Sequence, residues 1–335
     1  MKSALITGIA GQDGWYLSKL LSSKNYKIFG MVVNLNSKKS ENFSVDFPDI
    51  HLVKGDLTDS SSIRTLVGEI MPDEIYNLGG FSSVKHSYQY PEEVANINGV
   101  GLLRILEACK NIDHNKHFRI YQASSSEMFG SSELILKNES SALRPVSPYG
   151  VSKVFAHLTA KNYREIFGMH VSSGITFNHE SERRSLEFVT RKITNSAAKI
   201  RLGLLDKIEL GDLNTSRDWG YAEDYVEAMW KMLQMENPDD YVIATGRLHS
   251  IRELLKITFA MIGMDGQEEE FINTNPTYIR PAEIKAIAGD NSKAKEVLNW
   301  QPKTTFKDII SRMLQFDLSL EAKKANKTVP KIITI

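Results

Sequence analysis

In the stretch SPYGVSK, residues Ser147 to Lys153, a phenol and an ammonium stand four residues apart behind a proline. Positions i and i+4 of a helix share one face, so Tyr149 and Lys153 become neighbours if this segment is helical. An ammonium close to a phenol favours the phenolate and lowers a pKa of about 10 toward neutrality. A phenolate so tuned takes a proton from an alcohol hydroxyl while a hydride leaves the same carbon. Ordinary amphipathic helices show the same spacing, so the pair gains chemical meaning only from its surroundings. Two stretches supply them. Gly8-Ile9-Ala10-Gly11-Gln12-Asp13-Gly14 follows the apolar run Ser3–Thr7. Its G-x-x-G-x-x-G spacing is a variant of the dinucleotide fingerprint, in which missing side chains let the backbone approach a pyrophosphate at a helix N-terminus. QASSSEMFGSSE, Gln122 to Glu133, follows the strand-like run Phe118–Tyr121. Ligands bind at strand ends in open α/β sheets, so Glu127 is either a solvated loop carboxylate or a group that moves a proton.

The elements that must position these groups are readable from periodicity. Ser3–Thr7, Tyr26–Val33, His51–Lys54, Glu74–Leu78, Phe118–Ala123 and His170–Thr176 read as strands. Helical patterns lie between them at Trp15–Ser23, Ser60–Ile70, Pro91–Lys110 and Pro148–Phe167. This alternation predicts an α/β fold: a doubly wound parallel sheet of Rossmann type built from right-handed βαβ units. Beyond Asn178 the rhythm changes. A basic helix (Phe188–Leu202) and a short strand near Ile208–Leu210 precede a helix, Ala222–Gln234, and a strand, Tyr241–Ala244, that return to the sheet. Helices near Ile251–Ile262, Asn291–Leu298 and Phe306–Lys323 build a smaller lobe. The expected organisation is a dinucleotide-binding unit of residues 1–178 plus about 212–246, interleaved with a smaller α/β substrate-binding lobe of about 179–211 plus 247–335. In GDLTD, after the third strand, Asp56 is placed to hold an adenine amino group or, with Asp59, to cap the next helix.

Composition narrows the partners. Lysines plus arginines equal aspartates plus glutamates, 41 each, in 335 residues. Zero net charge argues against bulk binding to nucleic acid or to an anionic membrane. Cys109 is the only cysteine, so an intrachain disulfide and a thiolate metal cluster are excluded and no metal is expected. MKSALITG runs straight into the first strand, and no apolar run is long enough to span a bilayer. The expected location is the cytoplasm.

The glycine loop with Tyr149 and Lys153 resembles the extended short-chain dehydrogenase/reductase superfamily. ITGIAGQDGWYL, YQASSSEMFG, SPYGVSK, FNHESERR, FVTRKIT, RDWGYAEDYVEAMWKMLQ and YIRPAE narrow the resemblance to the GDP-mannose 4,6-dehydratases, over nearly the whole chain. The resemblance implies a catalytic set of Ser125, Glu127, Tyr149 and Lys153. Tyr149 would deprotonate the sugar O4 as C4 gives up hydride, and Ser125 would hold that oxygen. The 4-ketone acidifies C5, Glu127 would take its proton, and the C6 hydroxyl would leave as water before hydride returns to C6 and a proton to C5. The product implied is GDP-4-keto-6-deoxy-mannose. A simple dehydrogenase or a C4 epimerase needs no base for C5, so Glu127 is the discriminating residue. The resemblance also implies cofactor contacts from Gly8, Gly11, Gln12, Asp13, Gly14, Asn34, Asp56, Leu57, Leu78, Ser82, Tyr149, Lys153, His179 and Arg184. GDP-sugar contacts would come from Ser83, Asn178, Val189, Lys192, Leu210, Gly211, Arg217, Arg280 and Glu283, arginine suiting phosphate through its planar fork. A homodimer through the helix starting at Tyr149 is implied, with a tetramer as the alternative.

Departures from the family's pattern carry their own expectations. Ser125 stands where threonine is usual; it keeps the hydroxyl but loses the methyl that restricts its rotamer, which predicts looser positioning. Phe81, in Leu78-Gly79-Gly80-Phe81-Ser82, replaces an amide, so a polar contact is missing or supplied elsewhere. Val33 and Asn34 stand where two arginines are usual. An NAD site normally ends the second strand with an acid and an NADP site with an arginine; neither is present before Glu41. With no carboxylate to repel a phosphate, the expectation is NADP, held by Asn34, by Lys38 and Lys39 on a loop, and by Arg184; NAD is the alternative. Phe81 and Ser83 leave a GDP-manno-heptose 4,6-dehydratase as the nearest alternative function. A non-catalytic dinucleotide-binding regulator on the same fold is the more distant one.

Overall fold

The computed structural model describes residues 1–335 except 113–117, 132–135, 279–281 and 283. Seven strands form one parallel sheet: β1 (Ser3–Thr7), β2 (Lys27–Val32), β3 (His51–Lys54), β4 (Glu74–Asn77), β5 (Arg119–Ser125), β6 (His170–Thr176) and β7 (Asp240–Ile243). Their order is β7-β6-β5-β4-β1-β2-β3. It reverses between β1 and β4, and the carboxyl ends of the strands at such a switch point frame a ligand crevice.

Alternate strand residues feed two cores. Ala4, Ile6, Tyr76 and Tyr121 pack with side chains of the helices Gln12–Ser23 and Ala222–Gln234. Leu5, Ile75 and Ile120 pack on the opposite face with Ser60–Ile70, Gly101–Ile112 and Pro148–Phe167. Burial on both faces explains why these strands read as near-continuous apolar runs. The helix Pro148–Phe167 is fixed at both ends. Ser147 accepts the Gly150 N–H at 3.1 Å, Pro148 takes the first helical position, and Gly168 (φ +63°) closes the end in the left-handed region.

A third core joins the helices Val189–Arg201, Ile251–Met261 and Phe306–Lys324. The last of these serves two cores: Ile309 and Met313 pack into the sheet core, Ile310 and Leu314 into the third. Segments also cross between the two expected units. Leu136–Lys137 pairs with Ala286–Gly289, and Trp300 lies in the sheet core.

Two local expectations are corrected. Residues 38–46 form a helix rather than a loop, because Ser37 caps it, accepting the Ser40 N–H at 3.2 Å, and Phe43 packs on Phe47 at 5.0 Å. The single helix expected at Pro91–Lys110 is broken by a π turn, Ala95–Val100, between Pro91–Val94 and Gly101–Ile112. Such turns frequently mark functional sites. Among the described residues, no helix is long and apolar enough to cross a membrane, and no cluster of side chains is suited to a metal ion.

Candidate active site

β5 ends in one 3₁₀ turn, Ser126–Met128, capped by the Ser125 hydroxyl, which accepts the Glu127 N–H at 3.3 Å. The helix Pro148–Phe167 lies along this strand end. The Tyr149 phenol hydrogen-bonds Ser125, and Lys153 Nζ donates to the Ala123 carbonyl at 2.9 Å, 5.7 Å from the centre of the Tyr149 ring. Both side chains are buried. Burial pushes the Tyr149 phenol up to about 12; the Ser125 bond and the Arg184 charge pull it down, and the Glu127 carboxylate pushes it up. Burial brings Lys153 down to about 8. The expectation that Lys153 by itself draws this phenol toward neutrality is therefore corrected. Its ammonium is turned to a carbonyl, and desolvation of the phenol prevails.

A cavity of about 550 Å³ opens at the carboxyl ends of β1, β2 and β4. Gly8, Gly11, Gln12, Asp13 and Gly14 line one side; Asn34, Asp56, Leu57, Leu78, Ser82 and Arg184 complete it. Gly8 has φ +67°, and a Cβ there would meet Gly79 Cα at 2.8 Å. The helix Gln12–Ser23 begins at Gly11 with no side-chain cap, so its first-turn N–H groups are available to an anion. Asp56 accepts both the N–H and the hydroxyl of Thr58 at 2.8 Å, while Asp59 alone caps the following helix.

His179 stands behind this wall rather than in it. Its Nε2 is 2.9 Å from Asp13 Oδ2, its Nδ1 is 2.7 Å from the Phe177 carbonyl, and its ring stacks on Tyr225. Both nitrogens are thus engaged within the protein, and His179 borders the cavity through Asp13 and through Gln12, whose Nε2 donates to the His179 carbonyl at 3.0 Å. Burial pulls the imidazole down, but the Asp13 carboxylate outweighs it and the net direction is up. Asp13 is pushed up by burial and pulled further down by His179, so it titrates below its ordinary value.

A second cavity, of about 200 Å³, is lined by Ser83, Asn178, Val189, Lys192, Leu210, Gly211 and Arg217. The two cavities share neighbouring segments: Ser82 lines the first and Ser83 the second, as do Arg184 and Glu180 respectively. Arg184 Nε lies 3.1 Å from Glu180 Oε2, and its guanidinium covers Phe188 at 3.6 Å. Asn178 opens a short strand, Asn178–Glu180, beside Trp219–Tyr221 rather than ending β6. Arg217 is 8% exposed and donates to the carbonyls of Ile284 and Ser216 at 2.5 and 3.0 Å. Ser83 caps the helix Val84–Gln89. Tyr278 also lines this cavity, with Lys192 Nζ 3.5 Å over its ring, and a Cβ at Gly211 would meet its carbonyl at 2.9 Å. Sequence reasoning passed over Tyr278 although it opens the quoted YIRPAE stretch. Arg280 and Glu283 lie outside the described residues.

Comparison with known proteins decides the family. A sequence profile described as GDP-mannose 4,6 dehydratase matches residues 5–313. GDP-mannose 4,6 dehydratase 1 of Arabidopsis thaliana is 44% identical, the alignment covering 96% of this chain and 91% of the relative. The chain belongs to the GDP-mannose 4,6-dehydratase family. The GDP-mannose 4,6 dehydratase of Homo sapiens is 41% identical over 96% of this chain and 93% of its own. Solved structures agree on the fold. A UDP-glucose 4-epimerase from Thermotoga maritima has a TM-score of 0.83 at 22% identity, covering 96% of this chain and 99% of that one. The dTDP-glucose 4,6-dehydratase DesIV of Streptomyces venezuelae has a TM-score of 0.82 at 21% identity, covering 96% and 98%.

The departures from the family's pattern now have physical accounts. Ser125 is not left loose: the Glu127 N–H and the Tyr149 phenol hold its hydroxyl in place of the restricting methyl. The backbone at Phe81 is held by Asn98, on the π turn. Its Oδ1 accepts the Phe81 N–H and its Nδ2 donates to the Phe81 carbonyl, both at 2.9 Å. Gly80 makes room for it, since a Cβ would meet Asn98 Oδ1 at 2.5 Å. The Phe81 ring stacks on His86 at 4.7 Å. The two lysines expected on a loop separate on the helix Lys38–Asp46. Lys39 lines the first cavity with Ser37 and Ser40, whereas Lys38 is exposed and pairs with Glu41 at 3.4 Å.

Proposed function

We propose that the protein removes water from GDP-mannose to give GDP-4-keto-6-deoxy-mannose, as a hydro-lyase whose nicotinamide dinucleotide is regenerated within each turnover. The observation that carries this reading is the convergence of Ser125, Glu127 and Tyr149 at the end of β5. The glycine cradle and the uncapped helix start fit a dinucleotide pyrophosphate, and the bound nicotinamide supplies the hydride acceptor and later the donor. Every proton step falls to the protein. Tyr149 takes the O4 proton at its phenol oxygen, with Arg184 as the nearby cation that favours its ionised form. Ser125 donates to the C4 oxygen. Glu127 takes the C5 proton once C4 is a ketone, and carries it toward the departing C6 hydroxyl. GDP lies in the second cavity, with Arg217 at the diphosphate and Val189, Lys192 and Leu210 at the guanosine end. Incubation with GDP-mannose tests the reading: the product is lighter by one water, and recovery of unchanged GDP-mannose refutes it. GDP-manno-heptose, offered in parallel, is turned over with lower kcat/KM.

The cofactor proposed is NADP. No acid stands at the end of β2, where Val32, Val33 and Asn34 line the cavity. The capped start of the helix Lys38–Asp46 brings Ser37, Lys39 and Ser40 to the same rim, and a helix N-terminus with a lysine suits a 2′-phosphate. Of the solved relatives in fold, one from Pseudomonas aeruginosa is complexed with NADPH and DesIV holds NAD, so both cofactors occur on this fold. Denaturing the protein and weighing the released nucleotide decides: a mass without the third phosphate overturns NADP.

The assembly proposed is a homodimer. Val151, Phe155 and Leu158 are 55, 45 and 51% exposed along one stripe of the helix Pro148–Phe167. Pro91, Ala95 and Val100 border the same apolar groove. A contiguous apolar face of this kind marks an interface rather than a solvated surface.

A further inference from the structure

The helix Pro148–Phe167 carries one buried titratable group that the dehydration does not use. His157 lies one turn past Lys153 and two past Tyr149, on the same face, and is 6% exposed. Its Nδ1 is 3.0 Å from Ser124 Oγ. Its Nε2 is 3.9 Å from Asp240 Oδ2 at the start of β7. Arg164 holds that carboxylate with two bonds of 2.9 and 2.8 Å. The order Ser124–His157–Asp240 looks like a nucleophile triad, but Ser124 is 2% exposed and 3.9 Å is too long for an orienting hydrogen bond.

The contacts have another regularity. Three consecutive residues of β5 are gripped by three successive turns of one helix: Ala123 by Lys153, Ser124 by His157, Ser125 by Tyr149. Ala123 and Ser125 point to one face of the strand and Ser124 to the other, the face this helix covers, where His157 holds its hydroxyl. We propose that His157 is a positioning residue for the dehydration: through Ser124 it fixes the rotation of the end of β5, and with it the aim of Ser125 and Glu127. The inference rests on reading Ser125, Glu127 and Tyr149 as the catalytic set.

The charge state fits that role. Burial holds His157 below the ordinary histidine range; Asp240 opposes this, and Arg164 and Lys161 reinforce it. The groups facing it are Ser124 from β5, Asp240 from β7, and Arg164 and Lys161 from its own helix. A neutral imidazole with its proton at Nε2, toward Asp240, leaves Nδ1 to accept the Ser124 hydroxyl.

The test separates positioning from mere packing. Asparagine places an amide atom where Nδ1 stands, leucine fills the volume without an acceptor, and glutamine reaches only the Nε2 position. H157L is expected to lower kcat about ten-fold with KM for GDP-mannose unchanged, within the roughly hundredfold range of a 1 Å misplacement. H157N restores kcat to within about two-fold, and H157Q does not. Ser124→Ala reproduces the H157L loss, and the H157L/S124A double variant loses nothing more, since both remove one interaction. If H157L does not fold, S124A and H157N carry the comparison. Wild-type kcat in both S124A and H157L, H157N as slow as S124A, or additive losses in the double variant each overturn the proposal. A wild-type protein that turns over no GDP-mannose overturns the catalytic reading and this inference with it. A working wild type beside unimpaired S124A and H157L overturns the inference alone.

Discussion

Replacing Lys153 by methionine is expected to cripple the enzyme while relieving the fold of a buried charge. Lys153 titrates at about 8 in the folded chain instead of 10.5. Between those values the unfolded chain holds a proton that the folded chain has released, so stability rises with pH across this window. The depression of roughly 2.5 units, at about 1.36 kcal/mol each, amounts to about 3 kcal/mol that the charged form costs at pH 7. Lys153→Met removes that cost but leaves the Ala123 carbonyl without its donor, a loss of about 1–3 kcal/mol. At pH 7 the variant is therefore as stable as the wild type or up to about 2 kcal/mol more stable. By pH 9.5 the wild type has recovered about 2 kcal/mol by deprotonation, and the order reverses. Tyr149 titrates above the window, at about 12, and is common to both proteins, so it cancels from the difference. Urea unfolding of nucleotide-free protein at pH 7 and pH 9.5 measures this, beside turnover of GDP-mannose. A stability difference that does not move with pH would refute the argument from desolvation. Undiminished turnover would refute the catalytic role.

Tyr149→Phe should lower kcat by about 10²–10⁴ and leave calorimetric affinity for GDP-mannose near wild type; wild-type turnover would sink the assignment. Glu127→Gln keeps the shape of the side chain and loses the base, so water loss should stop while reduced nicotinamide builds up at 340 nm, an absorbance of about that wavelength being the readout of the hydride step. In heavy water the wild-type product should carry deuterium at C5, and a C5 with only its original hydrogen counts against Glu127 as an exchanging base. Phe155→Glu places a charge in the apolar stripe of the helix Pro148–Phe167 and should convert the proposed dimer to monomer by light scattering; an unchanged mass locates the interface elsewhere.

The parallel sheet was legible because its strands are buried on both faces, so the apolar runs were long and the helices between them regular. Gly8, Gly11 and Gly14 were legible for a similar reason: missing side chains at the switch of a βα unit have few other uses. Contacts made by the backbone were not. Asn98 sits in what reads as a uniform helix, and only the π turn and the Cβ-free Gly80 reveal that it holds Phe81. The helix Lys38–Asp46 is short and polar, and its cap, Ser37, lacks a capping-box partner in the sequence. The tuning of Tyr149 also escaped the sequence, since Lys153 at i+4 fixes proximity but not the direction of its ammonium, which the Ala123 carbonyl decides. The engagement of His179 by Asp13 was not legible either, because the two are remote in sequence.

β7 governs how this chain can be synthesised and recombined. Among the described residues its only sheet neighbour is β6, yet the residues from 178 to 239 must be made before it arrives. Until then β6 is a bare edge and a template for pairing with another nascent chain. A fragment ending near Asn178 should therefore collect in inclusion bodies rather than fold as a smaller module. The same dependence sets the rule for chimaeras among relatives. A transplanted sugar-recognition lobe must leave the host its own residues 222–244 and Trp300, whose indole N–H donates to the Asp224 carbonyl at 2.8 Å; cut inside that set, the donor's selectivity arrives on a scaffold that cannot close its sheet.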